Sequence, residues 1–248
     1  MARTDFTSPR LFIDSPLREG ERLALGPEHL NYLVNVLRLG AGARVLVFNG
    51  RDGEFTTSLA AMSRKSATLV VGARLRAQEV AADVDYLFAP LKHARLDYMA
   101  QKAVEMGARR LRPVMTRRTQ ASRVNIERLR ANAIEAAEQC GVIWLPEIEA
   151  ETTLDKALAN WRPDRLLIFC DEEAPVASPL EALSNAGERG RPLGLLIGPE
   201  GGFDETERAA ILALPHVLRL SLGPRILRAD TAAVAALALI QARLGDWR

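Results

Sequence analysis

Long apolar runs are missing from this sequence. The longest, "TAAVAALALI" (Thr231–Ile240), stops at 10 residues, half of what a membrane-spanning helix needs, so it reads as a buried helix. Cysteine is scarce: Cys140 and Cys170 form no CxxC pair and no disulfide framework, as expected in a reducing cytoplasm. The histidines His29, His93 and His216 are scattered, without the spacing of metal ligands. Structural roles and no bound metal are expected. The opening "MARTDFTSPR" has no apolar stretch, so no secretory signal is expected and the protein reads as cytoplasmic. Neither GxxxxGK[ST] nor a GxGxxG turn after a strand is present. This removes the P-loop, the usual dinucleotide cradle and the open-sheet methyltransferase fingerprint.

What is present is an ordinary globular composition over 248 residues, 48% hydrophobic and 26% charged, enough for one large domain or two smaller ones. Charge is unevenly placed. The first 130 residues hold 22 Lys+Arg against 13 Asp+Glu, and the remainder 11 against 18. Within the basic part, "ARRLRPVMTRRTQASRVNIERLR" (Ala108–Arg130) carries eight arginines and one glutamate. Such a patch suits a phosphate backbone; a solvated helix-and-loop surface is the alternative from charge alone.

Residues 1–76 read as short strands: Arg10–Asp14, Ala43–Gly50, Glu54–Met62 and Ala67–Leu75 are β-rich and closely spaced. "NGRDGE" is expected to turn a hairpin. One helix, Glu28–Leu39, is expected to present Leu30, Leu33, Val34 and Leu37 on one face. After a linker over Ala77–Asp85, residues 77–248 alternate apolar strands with helices. That pattern predicts an α/β domain with a largely parallel sheet covered on both faces. Ligands of such sheets bind at the carboxyl ends of the strands.

Two of those ends break in the same way. "LLIGPEGGF" (Leu195–Phe203) and "LSLGPRILRADTAAV" (Leu220–Val234) each carry a strand into Gly-Pro followed by a charged residue. The prolines are expected to hold Gly198 and Gly223 extended. Gly201 and Gly202 leave the main chain bare, and Asp204 with Glu207 has N-cap and N3 spacing for a new helix. Tight strand-to-helix turns are the plain reading of one such break. Two of them suggest a ligand held by backbone.

This pair of loops resembles the knotted SPOUT methyltransferases and, more narrowly, the 16S rRNA uridine-N3 methyltransferases. "HLNYLVNVLRLGAGARVLVFNG" is similar to their PUA-like barrel. "QKAVEMGARRLRPVMTRRT", and "EAAEQCG" followed by "PEI", are similar to further family stretches. The resemblance implies a small N-terminal PUA-like β-barrel, a C-terminal SPOUT α/β trefoil-knot domain, a homodimer and S-adenosylmethionine held by the knot loops. The matching positions are Leu196, Ile197, Gly198, Glu200, Gly201, Leu220, Leu222, Gly223 and Leu227. Phe169 and Cys170 are weaker candidates for the same wall. Exposed backbone groups suit an adenine edge, and the Glu200 carboxylate suits a cationic sulfur.

Uridine N3 carries a proton, so methylation there requires the anion of the base to be stabilised. N3 also lies on the pairing edge, so the base must be unpaired. Arg228 and Asp230 are the catalytic candidates. Arg228 would stabilise the anion or position a phosphate. Asp230, where the family more often has Glu, would be a base or, by preference, the cap of the following helix. Arg10, Arg38, Arg95, Lys102 and Arg118 fall on family-like positions for RNA contact. Singly, each reads rather as a surface charge or ion pair, as Lys102 with Glu105 at helical spacing; as a group with the basic segment they suit phosphate. Val142 stands where the family usually has Arg, so no role transfers there. The rival readings are a knotted methyltransferase for tRNA or ribose 2′-oxygens, and a non-enzymatic RNA-binding assembly protein.

Overall fold

The computed structural model describes residues 5, 7–61, 63, 66–92, 94–121, 123–175 and 178–247; His93 and Met62 lie outside them. The chain forms two compact units, residues 1–80 with 137–145, and residues 81–136 with 146–248.

The first unit contains β1 (Arg10–Phe12), β2 (Arg22–Ala24), α1 (Pro27–Leu30), a π-helical segment (Asn31–Val36), β3 (Arg44–Phe48), β4 (Glu54–Ala60) and β5 (Thr68–Arg76). Its sheet runs β1-β3-β4-β5-β2, with β1 parallel to β3 and the other pairs antiparallel. The expected hairpin joins β3 to β4. Asn49 shapes it, its side-chain oxygen accepting the N–H groups of Arg51 and Asp52, an Asx turn. Alternating residues such as Leu11, Val45, Val47, Phe55, Leu69 and Val71 fill the core. Strand β2 was not legible; three residues around the single buried Leu23 are too few to show a period.

The expected amphipathic helix is only partly α-helical. Over Asn31–Val36 it is wound with a wider turn, and the Leu37 N–H donates to the Tyr32 carbonyl. A π-turn shifts the phase of every later side chain. Leu33 stays fully buried, whereas Leu37 is 37% exposed, not part of the buried face.

Arg10 is also placed differently from its expected RNA-contacting position. It is buried, donating from Nε to Glu54 at 2.7 Å and to the carbonyls of Glu138 and Asp5. Arg76 grips the same carboxylate at 3.0 Å. The Arg10 head therefore faces inward and presents no cation to a phosphate. Removing one member of a buried ion pair leaves the others uncompensated. Glu54→Ala is therefore expected to destabilise the protein by about 3–5 kcal/mol in urea denaturation. Arg38→Ala, at an exposed position, is expected to stay within about 0.5 kcal/mol.

The second unit contains β6 (Val84–Phe88), α2 (Ala94–Glu105), β7 (Arg110–Met115), most of α3 (Ile126–Cys140), β8 (Glu147–Ile148), β9 (Thr152–Thr153), α4 (Leu154–Ala159), β10 (Leu166–Cys170), α5 (Pro179–Asn185), β11 (Leu193–Ile197), α6 (Glu205–Leu212), β12 (Val217–Leu220) and α7 (Ala229–Arg243). The main strand order is β12-β10-β11-β6-β7-β8, and every pairing is parallel. Strands β6 and β11 are buried along their whole length because helices cover both faces. One face packs on α2, α5 and α7 through Met99, Leu183, Leu237 and Ile240. The other packs on α4 and α6 through Leu158 and Ile211. The apolar run expected to form a buried helix is the body of α7. Because β12, β10 and β11 are parallel neighbours, their carboxyl ends lie at one edge.

Candidate active site

At that edge the loops after β10, β11 and β12 enclose a cavity of about 400 Å³. Seven of the nine expected cofactor positions line it: Ile197, Gly198, Glu200, Leu220, Leu222, Gly223 and Leu227. Leu196 and Gly201 do not. The Leu196 side chain packs on the opposite sheet face with Phe169 and Ile211, as the strand period of two requires. The Gly201 carbonyl instead accepts a hydrogen bond from Arg118. Phe169 and Cys170 do line the cavity, and burial pushes the Cys170 thiol up to about 12.

The glycines have distinct physical reasons. A Cβ on Gly198 would sit 2.6 Å from the Phe203 ring, which itself stacks edge-on against Phe169 at 5.4 Å. Gly223 has open space around it but a φ of +103°. It is therefore not held extended by the following proline; it occupies a region that side chains rarely enter. Asp204 and Glu207 form the expected reciprocal capping box at the start of α6.

The charged side chains are distributed by pairing. Asp230 is the second residue of α7, whose N-cap is Arg228, so it does not cap the helix as expected. Its carboxylate instead takes the Arg95 guanidinium in two bonds, 3.0 and 3.2 Å, and the Thr231 N–H. These bonds, the Arg95 one foremost, hold Asp230 below the usual carboxylate range. Arg95 also binds Glu200 and is not a free surface cation. Lys102 pairs with Glu105 at 2.7 Å. Arg225 and Arg228 are exposed on the cavity wall, and no bond from either to a carboxylate is found among the described residues.

The arginine-rich segment does not form one stripe. Arg110 and Arg112 pair with Asp85 at the amino ends of the strands. Arg117 and Arg118 fasten the loop after β11 through Asp204 and the Gly201 carbonyl, and Arg128 pairs with Asp97.

Sequence reasoning passed over Asp171, Glu172 and Glu173, which line the cavity after β10. The signal was available: a run of three carboxylates at a strand end. Burial pushes the Asp171 carboxyl up, but bonds from Arg208 and Arg219 outweigh it and hold the group below its ordinary range.

A family model described as an RNA methyltransferase domain matches residues 78–241, and one described as an RNA methyltransferase PUA domain matches residues 25–72. The chain belongs to this RNA methyltransferase family. Among its members, the ribosomal RNA small subunit methyltransferase E of Rickettsia conorii is 29% identical, over 94% of this chain and 94% of its own. That of Synechocystis is 31% identical over 90% of this chain and 73% of its own. A methyltransferase from Legionella pneumophila, solved in complex with the bound cofactor SAM, is 27% identical. It covers 97% of this chain and 99% of its own, with a TM-score of 0.85. The family and its SPOUT-like fold class are thus those expected from the two loops, and the PUA-like class is that expected from residues 29–50.

Overpacking at Gly198 is testable. Gly198→Ala is expected to destabilise the fold by about 1–3 kcal/mol. In a Phe203→Ala background the same change is expected to be nearly neutral, as a double-mutant cycle in urea would show.

Proposed function

We propose that the protein methylates N3 of a uridine in 16S rRNA, taking the methyl group from S-adenosylmethionine. The relatives named above supply the small-subunit RNA, and the Legionella structure supplies the cofactor. The observation that carries the reading is the convergence of two glycine-broken loops on one cavity. Its size falls within the range of small-molecule sites. Ile197, Leu220, Leu222 and Leu227 offer apolar walls, the Gly198 and Gly223 main chain can approach closely, and the Glu172, Glu173 and Glu200 carboxylates on the same lining would suit a cation. Residues 77–248 would form the catalytic domain and residues 1–76 an RNA-holding barrel. We read the protein as a homodimer of the cytoplasm; among the described residues no helix is long and apolar enough to cross a membrane.

When bound, S-adenosylmethionine supplies a methyl group on positively charged sulfur. The residues of this chain have the remaining tasks. Arg228 lies on the cavity wall, where its cation would stabilise the uracil anion left when the N3 proton passes to water. Asp230 is a poor base, because Arg95 stabilises its ionised form. Arg38, exposed in the first unit, and Arg225 on the loop after β12 are the better-placed phosphate contacts; Arg10, Arg95, Lys102 and Arg118 are committed elsewhere.

The decisive experiment is mass spectrometry of 16S rRNA nucleosides from a deletion strain. N3-methyluridine is expected to disappear and to return with the gene; unchanged N3-methyluridine refutes the reading. Calorimetry with S-adenosylmethionine separates an enzyme from a mere RNA-binding protein, which would give no heat. Arg228→Ala is expected to lower kcat about a hundredfold with the donor Kd nearly unchanged. Affinity for small subunits is expected to fall steeply with salt, as filter binding between low and physiological salt would show.

A further inference from the structure

Arg95, Asp230 and Glu200 form a chain of charges beside the cavity. Asp230 grips the guanidinium in two bonds, and a third N–H of Arg95 donates to Glu200. Glu200 lines the cavity, whereas Asp230 and Arg95 do not. Asp230 is the most shielded of the three, with 16% of its side chain exposed against 34% for Arg95 and 42% for Glu200. Two carboxylates against one guanidinium leave one net negative charge. Were Asp230 neutral, Arg95 and Glu200 would cancel, and this part of the wall would carry none.

We propose that Asp230 is a positioning residue that neutralises Arg95 without releasing it. The Glu200 carboxylate is thereby left uncancelled on the wall, and the site prefers the cationic methyl donor to its neutral thioether product. The proposal rests on the methyl-donor reading above and deepens it. Arg95 holds the otherwise half-exposed Glu200 in place, and Asp230 sets the sign of the local field. Such a preference favours exchange of spent product for fresh donor after each turnover.

The test is calorimetry of the full-length protein with S-adenosylmethionine and with S-adenosylhomocysteine, which differ by the methyl group and the positive charge it brings. Asp230→Asn is expected to reduce the preference for the donor over the product about fivefold, the size of one screened charge at cavity distances. The product affinity should stay within about twofold by the same reasoning. Glu200→Gln is expected to reduce the preference similarly, and Asp230→Glu, which keeps the charge, to restore it. Thermal melting shows that each variant is folded. Asparagine and glutamine variants that keep the wild-type preference, or that weaken both ligands equally, overturn the proposal alone. A wild-type protein that gives no heat with either ligand refutes the methyl-donor reading, and the proposal with it.

Discussion

The site depends on main chain that only glycine can supply. At Gly198 the constraint is space, because Phe203 lies where a Cβ would stand. At Gly223 it is conformation, a φ of +103° with nothing nearby to clash. Both lie just beyond parallel strands whose ends share one sheet edge, so two local features separated in sequence become the walls of one cavity. The parallel sheet makes this possible. Had only one of β11 and β12 run antiparallel to β10, which lies between them, the two loops would sit at opposite edges.

Around that cavity, arginine organises more than it advertises. Arg117 and Arg118 hold the loop after β11 in place, Arg208 and Arg219 hold Asp171, and Arg95 joins Glu200 to α7. Each pairing is partly exposed, so each stabilises the fold modestly; their joint effect is to fix where carboxylates point. What distinguishes Arg225 and Arg228 is position on the cavity wall without such an anchor among the described residues.

Much of this was legible in the sequence. Apolar strands interleaved with helices gave the parallel sheet, the two Gly-Pro breaks marked the cavity, and Asp204 with Glu207 announced the start of α6. These features are local, readable within a few residues. The misreadings share a cause. Arg95 and Asp230 meet across 135 residues, and the partners of Arg10 include a residue 128 positions away. Family-like position along the chain therefore marked Arg10 and Arg95 for RNA, while their carboxylate partners became visible only in the fold. Leu37 was misplaced for a different reason, since a π-turn leaves no mark on the apolar period that precedes it. Asp171 to Glu173 were visible but lacked the glycines that drew attention to the other two strand ends.

We propose that the loops after β11 and β12 grip one methyl donor together. Amide hydrogen exchange with and without S-adenosylmethionine tests it most directly. Protection is predicted to rise in both 198–203 and 221–228 at the same donor concentration, with the β1–β5 sheet unchanged. Protection confined to one loop, or appearing only outside both, would contradict it.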